Sequence, residues 1–171
     1  MIRVRSATVD DAPAWLRMRE ALWPEAESVS HAREIDEFFA GKLSMPLAVL
    51  IARDDRKPVG FAELSIRNYA EDCVTDRVAY LEGWYVIPEA RRRGVGRALV
   101  AAAEQWALAQ GCTEFGSDAL IDNESSAAAH RALGFVETVQ IRCFRKPLDR
   151  NAAGHGDARV LARDRHSEGR E

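Results

Sequence analysis

Residues 91–97, Arg-Arg-Arg-Gly-Val-Gly-Arg, place four guanidinium groups and two glycines within seven positions. That grouping suits a diphosphate. Gly94 and Gly96 lack a β-carbon, so the backbone can come close to a ligand. A helix beginning beside Val95 opens with N–H groups that have no intrahelical acceptor. Those donors and the positive end of the helix dipole favour an anion, and Arg91, Arg92, Arg93 and Arg97 add charge around it. The spacing lacks the third glycine of a dinucleotide fingerprint and the Gly-Lys-Ser/Thr ending of a nucleotide P-loop. A solvated basic turn capping an ordinary helix is the other reading of the same residues.

A cradle of this kind needs a strand to enter it and a helix to leave it. Val78–Val86 supplies the strand, and the alanine- and leucine-rich stretch from Val95 to Ala109 supplies a helix that stops at Gly111. Upstream, Ile2, Val4 and Ser6 alternate with Arg3 and Arg5 as a first strand. Thr8-Val9-Asp10-Asp11 then reads as a capping box, with Pro13 in the first turn of a helix that Trp23-Pro24 ends. A second helix is expected from about Ser30 to Gly41. Leu47–Ala52 and Val59–Ile66 form a hairpin across a polar turn at residues 54–58. Downstream, Glu114–Ser117 reads as a short strand, Asn123 as the cap of a helix ending at Gly134, and the alternating residues Phe135–Phe144 as a final strand. The order predicts an α/β (α+β) domain: a mixed, mostly antiparallel central sheet flanked by helices.

With 171 residues, the chain fits one domain, assigned to residues 1–148; residues 149–171 have few apolar side chains and are expected to be disordered. The net charge of −3 makes the arginine cluster a local feature, which disfavours nucleic acid as a partner. The three cysteines, Cys73, Cys112 and Cys143, form no Cys-x-x-Cys pair, so neither a disulfide framework nor a metal site is expected. The chain starts directly in a strand and has no apolar run of membrane length. A cytoplasmic protein that does not bind membranes is expected.

Residues 82–100 resemble the acyl-CoA-binding signature of the GCN5-related N-acetyltransferase superfamily, Arg/Gln-x-x-Gly-x-Gly/Ala, with Arg91, Gly94 and Gly96 in the fixed positions. Asn123–Ala127 and His130 to Leu133-Gly134-Phe135 form a second matching block, and the likeness spans roughly residues 2–148. It implies acetyl-CoA as cosubstrate, with main-chain groups of Trp84, Tyr85 and Val86 holding the pantetheine arm like an added strand. It also implies that Arg91, Arg92, Arg93, Gly94, Val95, Gly96 and Arg97 surround the pyrophosphate, with Asn123 near the thiol end. Many superfamily members have a tyrosine where this chain has His130, placed to protonate the leaving thiolate; here the histidine is either that acid or a packing residue.

The chain is also similar to the aminoglycoside 6'-N-acetyltransferases of that superfamily. This likeness rests on Leu22-Trp23-Pro24, Gly60-Phe61-Ala62, Ser65-Ile66-Arg67, Tyr69 with Cys73, Leu81-Glu82-Gly83, Ser117-Asp118 and the second block above. It implies transfer of acetyl to the 6'-amine of aminoglycoside antibiotics, conferring resistance, in a homodimer with the last strands near its interface. Trp23, Tyr69, Glu82 and Asp118 are implied to line the aminosugar pocket, where carboxylates and flat apolar faces suit a hydroxylated polyamine. Glu71, Asp72 and Asp76 are expected nearby, so the pocket is expected to be strongly acidic. Glu82 is the catalytic candidate, as an amine anchor or as a proton relay. Two positions depart from the family pattern, Ala26 for a histidine and Val139 for an acidic residue, and leave the antibiotic range open. Acetylation of another polyamine or a protein amine, and a non-catalytic acetyl-CoA-binding module, are the alternatives.

Overall fold

The computed structural model describes residues 1–148. The tail assigned to residues 149–171 lies outside the described residues, and residues 1–140 form one compact unit. Five strands, β1 (Ile2–Ser6), β2 (Ala48–Asp54), β3 (Lys57–Arg67), β4 (Val78–Val86) and β5 (Phe115–Ser117), lie in that order in one sheet. The first four are antiparallel neighbours, and β5 pairs with β4 in parallel. Four helices, α1 (Ala12–Leu22), α2 (Ser28–Phe39), α3 (Val95–Ala109) and α4 (Glu124–Ala132), complete the unit.

Strand alternation divides the core. Leu50 and Ala52 of β2 and Ala62 and Leu64 of β3 face Val95, Leu99, Val100 and Ala103 of α3. Their neighbours Val49, Ile51 and Phe61 face Trp15 and Met18 of α1 and Ile35 of α2. Period two in the strands therefore sends one residue set under α3 and the other under the α1–α2 pair. Trp15 anchors the second layer, with Phe38 and Phe39 edge-on to it at 5.3 and 6.0 Å.

The capping box at Thr8 is present, and its acid does more than cap. Asp11 is fully buried; it accepts hydrogen bonds from the Thr8 N–H at 2.9 Å and the Arg5 guanidinium at 2.6 and 3.0 Å. A further bond comes from Arg53 at 2.8 Å, so one carboxylate ties β1 and β2 to the start of α1. Burial pushes the Asp11 carboxyl up, but the hydrogen bonds from Arg5 and Thr8 outweigh it and hold it below the usual range.

One expected element is absent. Residues 136–148 carry no helix or strand, and Val136, Val139, Ile141 and Phe144 are exposed. The alternation there provides the faces of a strand, but a strand forms only against a partner. Among the described residues β5 pairs only with β4, along three positions.

Asp11→Asn keeps the shape but removes the charge that two guanidinium groups share. It is expected to cost about 3–5 kcal/mol in urea unfolding at pH 7. Because the folded carboxyl titrates below its unfolded value, that difference persists above the ordinary carboxylate range and shrinks as pH falls through the folded value.

Candidate active site

Glu82 occupies a β-bulge. On β3 the partners run from Glu63, opposite Gly83, to Leu64, opposite Leu81, so Glu82 has no partner in the ladder. Such an insertion re-aims side chains and switches the parity of the strand. Glu82 bonds to Ser65 and Arg67 of β3, on the sheet face that carries α1 and α2. Trp84, two residues on, turns to the α3 face, where its ring lies against Gly96.

The Glu82 carboxylate is held on both oxygens. Arg67 donates from Nε to Oε1 at 3.0 Å and from Nη2 to Oε2 at 2.5 Å, and the Ser65 hydroxyl donates to Oε1. The Arg67 guanidinium also stacks 3.4 Å above the centroid of the Tyr80 ring. Burial and the Asp118 charge push the Tyr80 phenol up to about 12, against the pull of Arg67. The charge of the Glu82 carboxylate is therefore compensated by a guanidinium, a partner that its motif did not announce.

Trp23, at the end of α1, covers Gly83: a β-carbon there would lie 2.5 Å from the indole Cη2. Arg19 lies between the rings of Trp15 and Trp23, 5.8 and 5.2 Å from their centroids, and pairs with Glu34 at 2.7 Å. The Arg19 Nε lies 3.2 Å from the buried Glu63 carboxylate, which also accepts the Trp15 indole N–H at 2.8 Å. Burial pushes the Glu63 carboxyl up to about 7, against the pull of Arg19 and of the Trp15 N–H.

Beyond Ser117 the sheet opens. The β4–β5 ladder ends at Leu81 opposite Ser117, while β4 continues to Val86 with only β3 beside it. Among the described residues, the backbone edge of Trp84, Tyr85 and Val86 therefore has no strand partner on that side. His130 of α4 stands against this mouth, edge-on to Trp84 with ring centroids 5.5 Å apart. Its Nδ1 is 2.8 Å from the Ser126 carbonyl oxygen, and its Nε2 is 2.9 Å from the Ser117 hydroxyl. A ring nitrogen facing a carbonyl carries the proton in the neutral ring, and the Ser117 hydroxyl beside Nε2 also lies within donating distance of the Leu81 carbonyl, at 3.2 Å.

The basic turn has the backbone of an anion cradle. Arg92 and Gly94 both adopt left-handed geometry, with φ of 57° and 84°, which curls successive N–H groups into a concavity at the start of α3. Its side chains divide. Arg91 donates to the Val86 carbonyl at 3.0 Å and Arg93 to Asp54 at 2.7 Å, whereas Arg92 and Arg97 are exposed without side-chain partners among the described residues. Val95 is buried under the turn, and Asn123 caps α4 by accepting the Ser126 N–H at 3.1 Å. Tyr69 and Asp118 are exposed on the segments that follow β3 and β5.

Residues 15–135 match the Acetyltransferase (GNAT) family. The chain belongs to that family. Among its relatives, aminoglycoside N(6')-acetyltransferase type 1 of Klebsiella aerogenes is 56% identical over 146 residues, covering 85% of this chain and 96% of the relative. A protein of the same name from Stenotrophomonas maltophilia is 40% identical over 151 residues, covering 87% and 95%. A solved structure of AAC(6')-Iy in complex with the bisubstrate analog CoA-S-monomethyl-acetylneamine superposes with a TM-score of 0.80 at 34% identity, covering 86% of this chain and 99% of that one. This acetyltransferase thus has the GNAT fold, as its sequence implies.

The acetyltransferase's motifs did not disclose the partners of Glu82. Ser65 and Arg67 entered only as part of a matching block, and Glu63, Arg19 and Ser117 carried no expectation of their own as site residues. A strand-period signal was available: Glu63, Ser65 and Arg67 share a face with the buried Phe61, where polar residues require partners. For α1 the signal was the spacing of Trp15, Arg19 and Trp23, each four residues from the next and so on one helix face.

Gly83→Ala forces its new methyl against the Trp23 indole. Overpacking at this contact is expected to lower stability by about 1–3 kcal/mol, read as a fall in thermal midpoint, with a change in the intrinsic tryptophan fluorescence.

Proposed function

We propose that this GNAT-family protein transfers acetyl from acetyl-CoA to the 6'-amine of aminoglycosides, with Glu82 anchoring that amine beside the mouth between β4 and β5. The observation that carries the reading is the bulge. It sets a carboxylate at the point where the β4–β5 ladder ends, next to the unpartnered edge of residues 84–86. Identity of 56% with a named aminoglycoside N(6')-acetyltransferase supports the substrate class.

The residues present fit acetyl-CoA. The left-handed Gly94, with nothing within 4 Å of where a β-carbon would stand, leaves the start of α3 open to a pyrophosphate. Arg92 and Arg97 are the side chains available to neutralise it. Arg91 and Arg93 shape and tether the turn as well as adding charge. Backbone groups of Trp84, Tyr85 and Val86 take the pantetheine arm, and Asn123 presents its amide N–H groups. When bound, acetyl-CoA supplies the thioester carbonyl that an amine attacks.

Only an unprotonated amine is a nucleophile, so a proton must leave before the attack. Glu82, held by three donors, is an anchor that accepts from the amine. Trp23, Tyr69 and Asp118 are the remaining contacts of the aminosugar. His130, coupled to Ser117, is the candidate acid for the leaving thiolate. The exposed apolar positions Val136, Val139, Ile141 and Phe144 support a homodimer joined through that segment. No helix among the described residues is long and apolar enough to cross a membrane, and use of acetyl-CoA supports a cytoplasmic location.

Thiol release from acetyl-CoA tests the reaction, with kanamycin, tobramycin and amikacin set against derivatives lacking the 6'-amine, spermidine and a peptide amine. Turnover is expected only with 6'-amino aminoglycosides; turnover confined to spermidine or peptide would sink the antibiotic assignment. Glu82→Gln is expected to raise KM for the aminoglycoside about tenfold or more with kcat changed much less. Loss of kcat instead would make Glu82 an obligatory relay.

A further inference from the structure

Glu82 is not a bare carboxylate. A carboxylate offers about four acceptor positions, and three are taken: Ser65 and the Arg67 Nε on Oε1, and the Arg67 Nη2 on Oε2. One position on Oε2 remains for a substrate. The guanidinium that takes two of the others is itself fixed by its stack on Tyr80. Burial works against the charge of Arg67, but the Glu82 hydrogen bonds and the charges of Glu82 and Asp118 outweigh it.

This arrangement bears on a conflict in the chemistry. A lone carboxylate beside an amine stabilises the ammonium form, which binds well and cannot attack a thioester. A paired guanidinium cancels most of that field while leaving an oxygen able to accept an N–H. Of the other charges around Glu82, only those of Asp118 and Glu71 reach its partners Arg67 and Tyr80 without a cation of their own among the described residues. Glu63 on β3 is partnered by Arg19 of α1, the Tyr80 phenol on β4 stays neutral, and Asp118 and Glu71 lie on the segments after β5 and β3.

We propose that Arg67 is a positioning residue of the acetyl transfer: its guanidinium is the built-in counter-charge of Glu82, and it makes the acceptor amine bind at Oε2 as the free amine, not as the ammonium. Ser65 and Arg67 together aim that remaining position, so the amine is oriented as well as deprotonated. The inference rests on the reading of Glu82 as the amine anchor.

The first test uses the wild-type protein saturated with coenzyme A. Calorimetric titration at pH 7 in buffers of different ionisation enthalpy counts the protons released per bound kanamycin and per bound derivative with a hydroxyl in place of the 6'-amine. Kanamycin is expected to release close to one proton more; equal release overturns the proposal. In Arg67→Gln and Arg67→Met the extra proton release is expected to vanish. KM for kanamycin falls several-fold in these variants, and the pH at which kcat reaches half its plateau moves up by about one unit. Arg67→Lys retains a charge and returns the midpoint most of the way. Ser65→Ala, which frees a position on Oε1 without changing the charge, leaves it in place. A raised KM with an unmoved midpoint in Arg67→Gln, or an equal shift in Ser65→Ala, overturns the counter-charge role. Unchanged affinity for coenzyme A identifies the variants that keep the fold. Wild-type turnover separates the two levels: no thiol release with kanamycin overturns the anchor reading and this inference together, whereas turnover with equal proton release overturns this inference alone.

Discussion

One extra residue in β4 organises the site. Without the bulge at Glu82, strand alternation would carry a single set of side chains along each face from Val78 to Val86. With it, Tyr80 and Glu82 face the α1–α2 layer before the insertion, and Trp84 joins the α3 layer after it. Glu82 and Gly83 consequently lie side by side under α1. Gly83 is bare because Trp23 occupies the space of its missing side chain. The same insertion coincides with the end of pairing to β5, so the sheet opens where the carboxylate is presented.

Much of this was legible in the residues. The strand–turn–helix around Arg91–Arg97, the capping residues Thr8 and Asn123 and the glycine stops follow from local rules, and the structure shows them where local rules place them. The bulge was only partly legible: Gly83 inside β4 is the kind of strand glycine that marks a bulge or a close approach, but register is a property of two strands, so Gly83 alone does not say that Glu82 is the unpaired residue. The expected strand at Phe135–Phe144 failed for the complementary reason. Its alternation is real, but pairing depends on an edge that lies elsewhere in sequence. The partners of Glu82 were hidden in the same way: Arg67 and Glu82 are fifteen residues apart and meet only through the antiparallel turn-back.

Charge on the α1–α2 face occurs in paired sets, buried at Arg19 and Glu63 and half-buried at Arg67 and Glu82. Arg19 joins Glu63 and Glu34, and Arg67 joins Glu82. Taking such ions out of water is costly, so each set is weak support for stability and strong support for geometry, since its members hold one another in fixed orientations. Arg19 is the link between them in space, because the ring it holds, Trp23, is the one that covers Gly83 beside Glu82. The α1 helix thereby reaches the bulge through a cation that contacts two indoles.

On the proposed function, this compensation separates two tasks that a single carboxylate performs poorly together. Attraction of a polycation calls for uncompensated negative charge, and Glu71, Asp72, Asp76 and Asp118 provide it on the segments following β3 and β5, where solvent keeps the cost of that charge low. Release of one proton from one amine calls for the reverse, an acceptor oxygen whose field has been cancelled. Glu82 meets that requirement because Arg67 and Ser65 share it. Long-range attraction then rests with exposed acids, while the reacting amine is aligned by groups on the strands β3 and β4, where bidentate pairing and ring stacking fix the angle of approach.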